Sequence, residues 1–326
     1  MATKWILALL VGHDVWAQNI DHEKSTTLSA SLGIKHAQLS LMAEQPYLKY
    51  QPNVGATTFV AAAYRRYSFS LGIDQAPAEY SSQTHGQTKY QDYQVRFHGD
   101  RWSPELIYQS YQGYYLENSI DNSAVKYLRP DIKFKRWGAQ LYYNFNPEAY
   151  SFSGHFSLRS RQLESSGAFF AVASHNFYHL QGEKPLVPEN SSGGSFAEIN
   201  EMRMHSTAVG VAGSYNFVYH NYFAGGLLGF GLNYQFSEAR GLNVDSASYD
   251  QVGLKTFIKL GVGYNGELFY SGFSFNYDGQ SSNLAGARVT LDSSEIKLFL
   301  GWRFEDMRIS WIDKVDRQVA GYLPGP

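Results

Sequence analysis

Residues 254–278 read LKTFIKLGVGYNGELFYSGFSFNYD. Up to the Asn265-Gly266 pair, Leu254, Ile258, Leu260, Val262 and Tyr264 fall on one side of an extended chain. Lys255, Lys259, Gly261 and Gly263 fall on the other. Beyond it, Phe269, Phe273, Phe275 and Tyr277 oppose Gly272, Ser274, Asn276 and Asp278. A period of two sets alternate side chains on opposite faces of a strand. Asn-Gly supplies the left-handed backbone that joins antiparallel neighbours in a tight turn. The stretch therefore reads as a β-hairpin with one apolar face.

The pattern recurs in both directions. In 138–145, Ala139, Leu141, Tyr143 and Phe145 oppose Gly138, Gln140, Tyr142 and Asn144. In 151–161, Phe152, Phe156 and Leu158 oppose Ser151, Ser153, His155, Ser157, Arg159 and Arg161. Near the end, Ile296, Leu298, Leu300, Trp302 and Phe304 oppose Glu295, Lys297, Gly301 and Arg303. Several segments run 11 to 15 residues, about twice the usual strand length and enough for a tilted strand to cross a bilayer. Tyr and Phe gather beside the turns, at Tyr142-Tyr143, Tyr215, Tyr222-Phe223, Tyr264 and Phe269-Tyr270, as an aromatic girdle at a lipid–water boundary requires.

Composition agrees. Of 326 residues, 25 are Tyr, 21 Phe and 30 Gly, with 17% charged, against roughly 25% in an ordinary soluble domain. The mean hydropathy is nevertheless −0.35, so apolar residues are interleaved with small polar ones. A net charge of −2 and a pI near 6.6 argue against nucleic acid as a partner. Cysteine is absent, which removes disulfide scaffolds and thiolate metal sites and suits a chain crossing an oxidising periplasm.

Residues 1–17 read as a signal peptide: Lys4, the apolar run 5–12, then Val15-Trp16-Ala17 before Gln18. No later apolar run approaches the roughly 20 residues of a spanning helix. Strands must therefore do the spanning, and the chain reads as an all-β, transmembrane, antiparallel up-and-down β-barrel, porin-like, in the outer membrane of a Gram-negative cell. Tight turns at 65–66, 98–101, 146–149, 219–221 and 265–266 alternate with longer polar stretches near 75–86, 116–132, 180–204, 237–249 and 279–291. Short periplasmic turns and long outer loops are the expected asymmetry.

Twelve strands satisfy the even count: Thr26–Lys35, then 55–64, 67–74, 87–98, 102–115, 133–145, 149–161, 205–218, 222–236, 250–264, 267–279 and 292–304. Counting 168–177 alone breaks the parity, so 163–204 is read as one excursion; fourteen strands is the alternative. The barrel domain is then 18–304, and 305–326 is a periplasmic C-terminal tail behind the assembly aromatic of Gly301-Trp-Arg-Phe304. Outer-membrane lipid and the barrel-assembly machinery are the implied partners.

Tyr50-Gln-Pro-Asn53 before Gly55, Tyr64 with 68–72, Tyr108-Gln-Ser-Tyr-Gln-Gly-Tyr-Tyr-Leu116, Arg129-Pro-Asp131 and Tyr143-Asn-Phe-Asn-Pro147 leading to Tyr150-Ser151 follow one another in a familiar order. In these the chain resembles an uncharacterised family of outer-membrane barrels, domain of unknown function 4421. Arg161-Gln162 with Ser165, Ser166 and Gly167 is the most specific piece of the resemblance, and Pro185-Leu-Val-Pro188, Tyr264-Asn265 and Gly301-Trp-Arg-Phe304 complete it. It implies a membrane barrel and supplies no catalytic assignment.

Candidate chemistry is sparse. His155 and Ser157 share a face with a spacing that some lipid hydrolases use for base and nucleophile, but opposite Phe152 and Phe156 that face should be the lumen wall. The ten histidines are scattered, so neither a metal site nor a cofactor is expected. Asp92, Arg96, Arg159, Arg161, Gln162, Lys255, Lys259, Glu295, Lys297 and Arg303 belong to the polar set that should line the lumen. They either tune an aqueous path for small polar solutes or pair across a filled interior. The leading function is thus non-enzymatic: a narrow channel or a sealed structural or docking barrel. An outer-membrane enzyme acting on lipid or lipopolysaccharide, or a loop-mediated binding module using 180–204 and 237–249, is the alternative.

Overall fold

In the computed structural model, the described residues are 20–21, 26–42, 47–64, 67–74, 79–97, 99, 101–117, 126–156, 158, 160–187, 198–241, 246–284, 287–304, 310 and 314. Segment 1–17, nearly all of 305–326, and the residues Arg65, Arg66, His98, Ser157 and Arg159 lie outside them.

Twelve strands form one closed antiparallel wall. In chain order the elements are β1 (Ile20–Asp21), β2 (Thr26–Met42), β3 (Tyr47–Gln51), β4 (Thr57–Tyr64), β5 (Tyr67–Asp74), α1 (Glu79–His85), β6 (Lys89–Phe97), β7 (Trp102–Leu116) and β8 (Tyr127–Asn144). There follow α2 (Phe152–Phe156), β9 (Arg161–Gln162), β10 (Ser166–Gln181), β11 (Ile199–Tyr219), β12 (Tyr222–Gly241), β13 (Ala247–Asn265), β14 (Phe269–Leu284) and β15 (Ala287–Phe304). The wall runs β2-β4-β5-β6-β7-β8-β10-β11-β12-β13-β14-β15 and returns to β2. β15 pairs with β2 from Phe304↔Thr26 to Arg288↔Met42, which leaves no free sheet edge at the seam. β3 is extra: it pairs with Leu39–Met42 of β2 and reaches Tyr115 and Leu116 of β7, bridging the space beyond the short β4–β6. β1 pairs with β9 as a separate two-stranded piece.

Both ends of the wall, Thr26 and Phe304, stand beside the tight turns, whereas the long connections gather at the far end. Between them the outer surface is apolar. Leu32, Val60, Leu106, Val211, Phe230, Leu254 and Leu298 are all more than two-fifths exposed. Their strand neighbours point inward and are buried or half-buried. An aqueous surface gains nothing from such a band; lipid does, so this is a barrel of the outer-membrane type. No helix among the described residues is long and apolar enough to cross a membrane.

Two expectations from the sequence are corrected. Residues 149–161 are not a wall strand: the chain turns inward and forms α2, and β10 takes the place in the wall that had been assigned to that segment. Phe152 and Phe156 are four apart, a helical spacing, and Gly154 and Ser160 interrupt the apolar alternation between and beyond them. Ser151 caps the turn, its Oγ accepting the Gly154 N–H at 2.9 Å. Second, residues 127–132, 199–204, 237–241, 247–249, 279–284 and 287–291 are strand, because β8 and β11 to β15 continue past the apolar band.

There the pattern inverts. On β8, Trp137, Ala139 and Leu141 point outward and Arg136 and Gln140 inward, but farther along Lys133 and Lys135 point out and Ile132 and Phe134 point in. β10, β11 and β12 switch in the same sense: Phe177 gives way to His179, His205 to Arg203 and Phe236 to Glu238 outside. Tyr178, Met204 and Ala239 become buried inside. Outside the bilayer the wall meets water and the interior supplies the apolar core.

Because the chain lacks cysteine, closure can be tested by cross-linking. Ala30→Cys with Leu300→Cys, paired residues of β2 and β15, should form a disulfide at the ordinary antiparallel Cα spacing, seen as faster migration on a non-reducing gel. Packing inside the wall gives a second expectation. A methyl at Gly229 would overlap the Phe257 ring, whereas at Gly213 it would meet only Phe169, at 3.8 Å. Gly229→Ala should lower stability by about 1–3 kcal/mol and Gly213→Ala by less than about 0.5 kcal/mol, measured by urea unfolding in detergent.

Candidate functional site

The lumen holds three layers of side chains. The middle layer is charged. Glu105 lies 3.4 Å from Arg96 and 3.3 Å from Lys259. Asp278 lies 3.0 Å from Arg136 and 2.6 Å from Lys255, and Glu295 lies 2.8 Å from Lys297. Asp92 accepts the Tyr90 hydroxyl at 2.7 Å and amide hydrogens of Gln94 and Gln109 at 3.2 and 3.1 Å. Arg136 also donates to Asn176 at 3.0 Å. Lys259 sits over the Tyr142 ring at 5.2 Å, and Lys297 over Phe59 at 3.9 Å. Each cation thus has a carboxylate and several have a ring face, the compensation that charges removed from bulk water require. Two cavities of about 110 and 80 Å³ remain beside these pairs, and Arg96, Glu105, Lys259 and Asn276 line both.

Toward the far end the lumen becomes apolar. Leu48, Tyr50, Tyr111, Leu116, Ile132, Phe134, Tyr178, Leu180, Met202, Met204 and Leu291 form one buried cluster drawn from β3, β7, β8, β10, β11 and β15. The chain after β10 dips into it, so that Leu186 and Val187 are buried there. Arg129 pins that dip: it pairs with Asp131 at 2.8 Å and donates to the Pro185 and Lys184 carbonyls at 2.8 and 3.0 Å. The Tyr50 hydroxyl donates to the Leu186 carbonyl.

At the short-turn end the inward segment occupies the lumen. Tyr150, Phe152 and Phe156 pack with Tyr142, Phe170 and Phe257, and Leu158 with Phe223, Tyr270 and Phe299. Gln162 donates to the Ala149 carbonyl at 2.7 Å and accepts the Ser151 N–H at 2.8 Å, closing the segment into a loop. Arg303 donates to the carbonyls of Gly266 and Leu158 and to the Asn265 side chain. Arg161 lies 3.1 Å from Asp21 of β1 and 3.6 Å from Glu267, tying the N-terminal side of the barrel to the segment.

Of the residues singled out from the sequence, Asp92, Arg96, Lys255, Lys259, Glu295 and Lys297 thus come together in the middle layer. Arg303 lies lower, and Arg161 and Gln162 belong to β9 instead of the wall. His155 is on α2, not on a strand; it is 3% exposed, with its ring edge-on to Phe156 and Phe223 at 4.3 and 5.5 Å. Burial pushes its pKa down to about 4, countered in part by the Gly225 carbonyl and Asn216 beside the ring, so it is neutral near pH 7. Glu105, Arg136 and Asp278 complete the charged layer and were not among the candidates. Parity alone would have found them, since Glu105 precedes outward Leu106 and Arg136 precedes outward Trp137. Among the described residues there is no cluster of His, Asp or Glu able to hold a metal ion.

No curated protein matches the chain in sequence. Solved outer-membrane barrels are similar to it at a distance. The outer membrane protease OmpT of Escherichia coli shares 8% identity at a TM-score of 0.41, over 90% of this chain and 99% of that one. Neisserial surface protein A shares 9% at 0.25, over 86% and 97%. The P. putida toluene transporter TodX shares 8% at 0.28, over 86% and 90%. Likenesses this remote carry nothing about activity. The sequence itself matches, over residues 20–304, the family described as Domain of unknown function (DUF4421), and the chain belongs to that family.

Proposed function

We propose that the protein is a non-enzymatic, sealed barrel of the outer membrane, exported by its segment 1–17, with 305–326 in the periplasm, and that it works as a structural or docking protein through its surface. One observation carries this reading: the buried far-end cluster, from Leu48 to Leu291, packs side chains of β7, β8, β10 and β11 against those of β3 and β15 across the lumen. A conducting path needs a continuous water-lined route with charges facing it. Here the route meets aromatic and aliphatic side chains, and the charges of the middle layer are spent on one another.

The channel reading draws on the two cavities, which are lined in part by charged side chains but lie below that cluster. The enzyme reading draws on His155 and Ser157. A base buried among Phe156 and Phe223 inside the wall is out of reach of bilayer lipid, which favours a packing role for His155.

Two measurements follow. In planar bilayers the wild-type protein should give no single-channel steps. Tyr111→Ala with Phe134→Ala and Leu180→Ala, which thins the far-end cluster, should give them. Steady steps from wild-type protein would overturn the sealed reading. Asp278→Asn leaves Lys255 and Arg136 without their shared carboxylate. It should cost about 3–5 kcal/mol of stability in detergent, the usual cost of breaking a buried pair; a cost below about 1 kcal/mol would mean that the layer is wet.

A further inference from the structure

An aromatic row crosses six strands on the outer face. Tyr93 of β6 is paired with Tyr108, Tyr108 with Trp137, Trp137 with Phe177, Phe177 with His205 and His205 with Phe236 of β12. The Tyr108 and Trp137 rings are 4.3 Å apart, and Phe177 and His205 are 4.9 Å apart. Such rings sit at the boundary between hydrocarbon and headgroups.

Just beyond them the same face turns cationic. Two residues farther along, Lys135, His179, Arg203 and Glu238 are paired in one row; four residues farther, Lys133, Gln181, Glu201 and Arg240 form the next. These rows lie about 7 and 13 Å past the rings along each strand, and neighbouring strands are about 4.8 Å apart. Four of these side chains are Lys or Arg and two are carboxylates. Glu201 is engaged by Arg203 at 2.8 Å and His179 at 2.9 Å. Lys133, Lys135 and Arg240 are exposed and make no ion pair among the described residues. Lys89 of β6 extends the second row, being paired with Gln112, which is paired with Lys133. On β13 and β15 the outward groups near this level are Asp250 and Asp292, which accept tyrosine hydroxyls at 2.6 and 2.9 Å.

The geometry points to this patch on β8–β12 as a binding site for the phosphate of an anionic glycolipid in the outer leaflet. On β8, β10 and β12 the ring is the last apolar outward residue before the charged ones, and unpaired cations just past that point on a strand complement a lipid phosphate. A solvated charged rim would not need the cations collected on one side. The inference rests on the outer-membrane reading but not on the lumen being closed, so conductance by the wild-type protein would leave it standing.

Native mass spectrometry of the detergent-solubilised full chain tests it, with diphosphoryl lipid A and its dephosphorylated form as probes. Wild-type protein should retain the phosphorylated lipid in preference to the dephosphorylated one, and millimolar inorganic phosphate should not displace it. Lys133→Gln with Lys135→Gln and Arg240→Gln should retain on the order of a hundredfold less, about fivefold for each charge. Lys314→Gln, an exposed cation beyond β15, should match wild type. Heat-modifiable gel mobility confirms that each variant is folded; if the triple variant is not, Lys135→Gln alone should show the fivefold loss. Equal retention of both lipids, an unaltered folded variant, or displacement by inorganic phosphate would overturn the assignment.

Discussion

A backbone amide left unpaired in hydrocarbon costs several kcal/mol, and a sheet has two edges full of them. The ladder between β15 and β2, running from Phe304↔Thr26 to Arg288↔Met42, removes both. Without it the first and last strands would present open edges to lipid, and the apolar outer face built around Leu32, Leu298 and their neighbours would have no stable setting. Closure also creates an enclosed volume, and its contents become the second problem that the sequence has to solve.

The solution differs by level. Within the bilayer the wall spends its apolar side chains outward, leaving polar ones for the interior. These are arranged as carboxylates shared between cations, Glu105 between Arg96 and Lys259 and Asp278 between Arg136 and Lys255. Past the bilayer the outer face must be wet, so the apolar side chains move inside and pack as they would in a soluble domain. At the opposite end neither arrangement is supplied by the wall, and an inserted segment carrying Tyr150, Phe152 and Phe156 fills the space. One strand such as β8 therefore has to satisfy two environments in succession.

That succession explains what could be read from the sequence. Alternation with apolar residues outward is strong in 254–278 and 292–304, and there the strands and their polar faces were legible residue by residue. Twelve strands were also legible from parity, although one member was misplaced: 149–161 alternates crudely but forms the inserted segment, whereas β10 was set aside within 163–204. The inverted stretches read as loops where Glu238 and Arg240 on the outside look like solvent-exposed connection and Ile132 seems isolated without knowledge of a filled lumen; the strand read over 133–145 already took in Lys133, Phe134 and Lys135. Asp92, Lys255, Lys259 and Glu295 could be assigned to the interior by parity alone. The pairs Lys259–Glu105 and Arg136–Asp278 join strands distant in sequence, and a single chain carries no signal for such pairings. The role of Gln162 was equally hidden, since its partners Ala149 and Ser151 matter only once the segment folds back.

The wall is uneven in height. β4 and β5 have eight residues each, whereas β11 has 21. Eight residues extend about 26 Å, and a tilt of roughly 35–45° brings the vertical reach to about 20 Å, short of the ~25 Å apolar band of an ordinary outer-membrane barrel. Val60, Phe69 and Ile73 nevertheless face outward on these strands, so lipid has to contact them. The bilayer beside this low flank must thin, or the barrel axis must lean toward it, at a fraction of a kcal/mol per Å of mismatch. Two copies placed flank to flank would share one thinned region where separate copies each deform their own, so the short strands give the molecule a preferred direction for lateral association in the membrane plane.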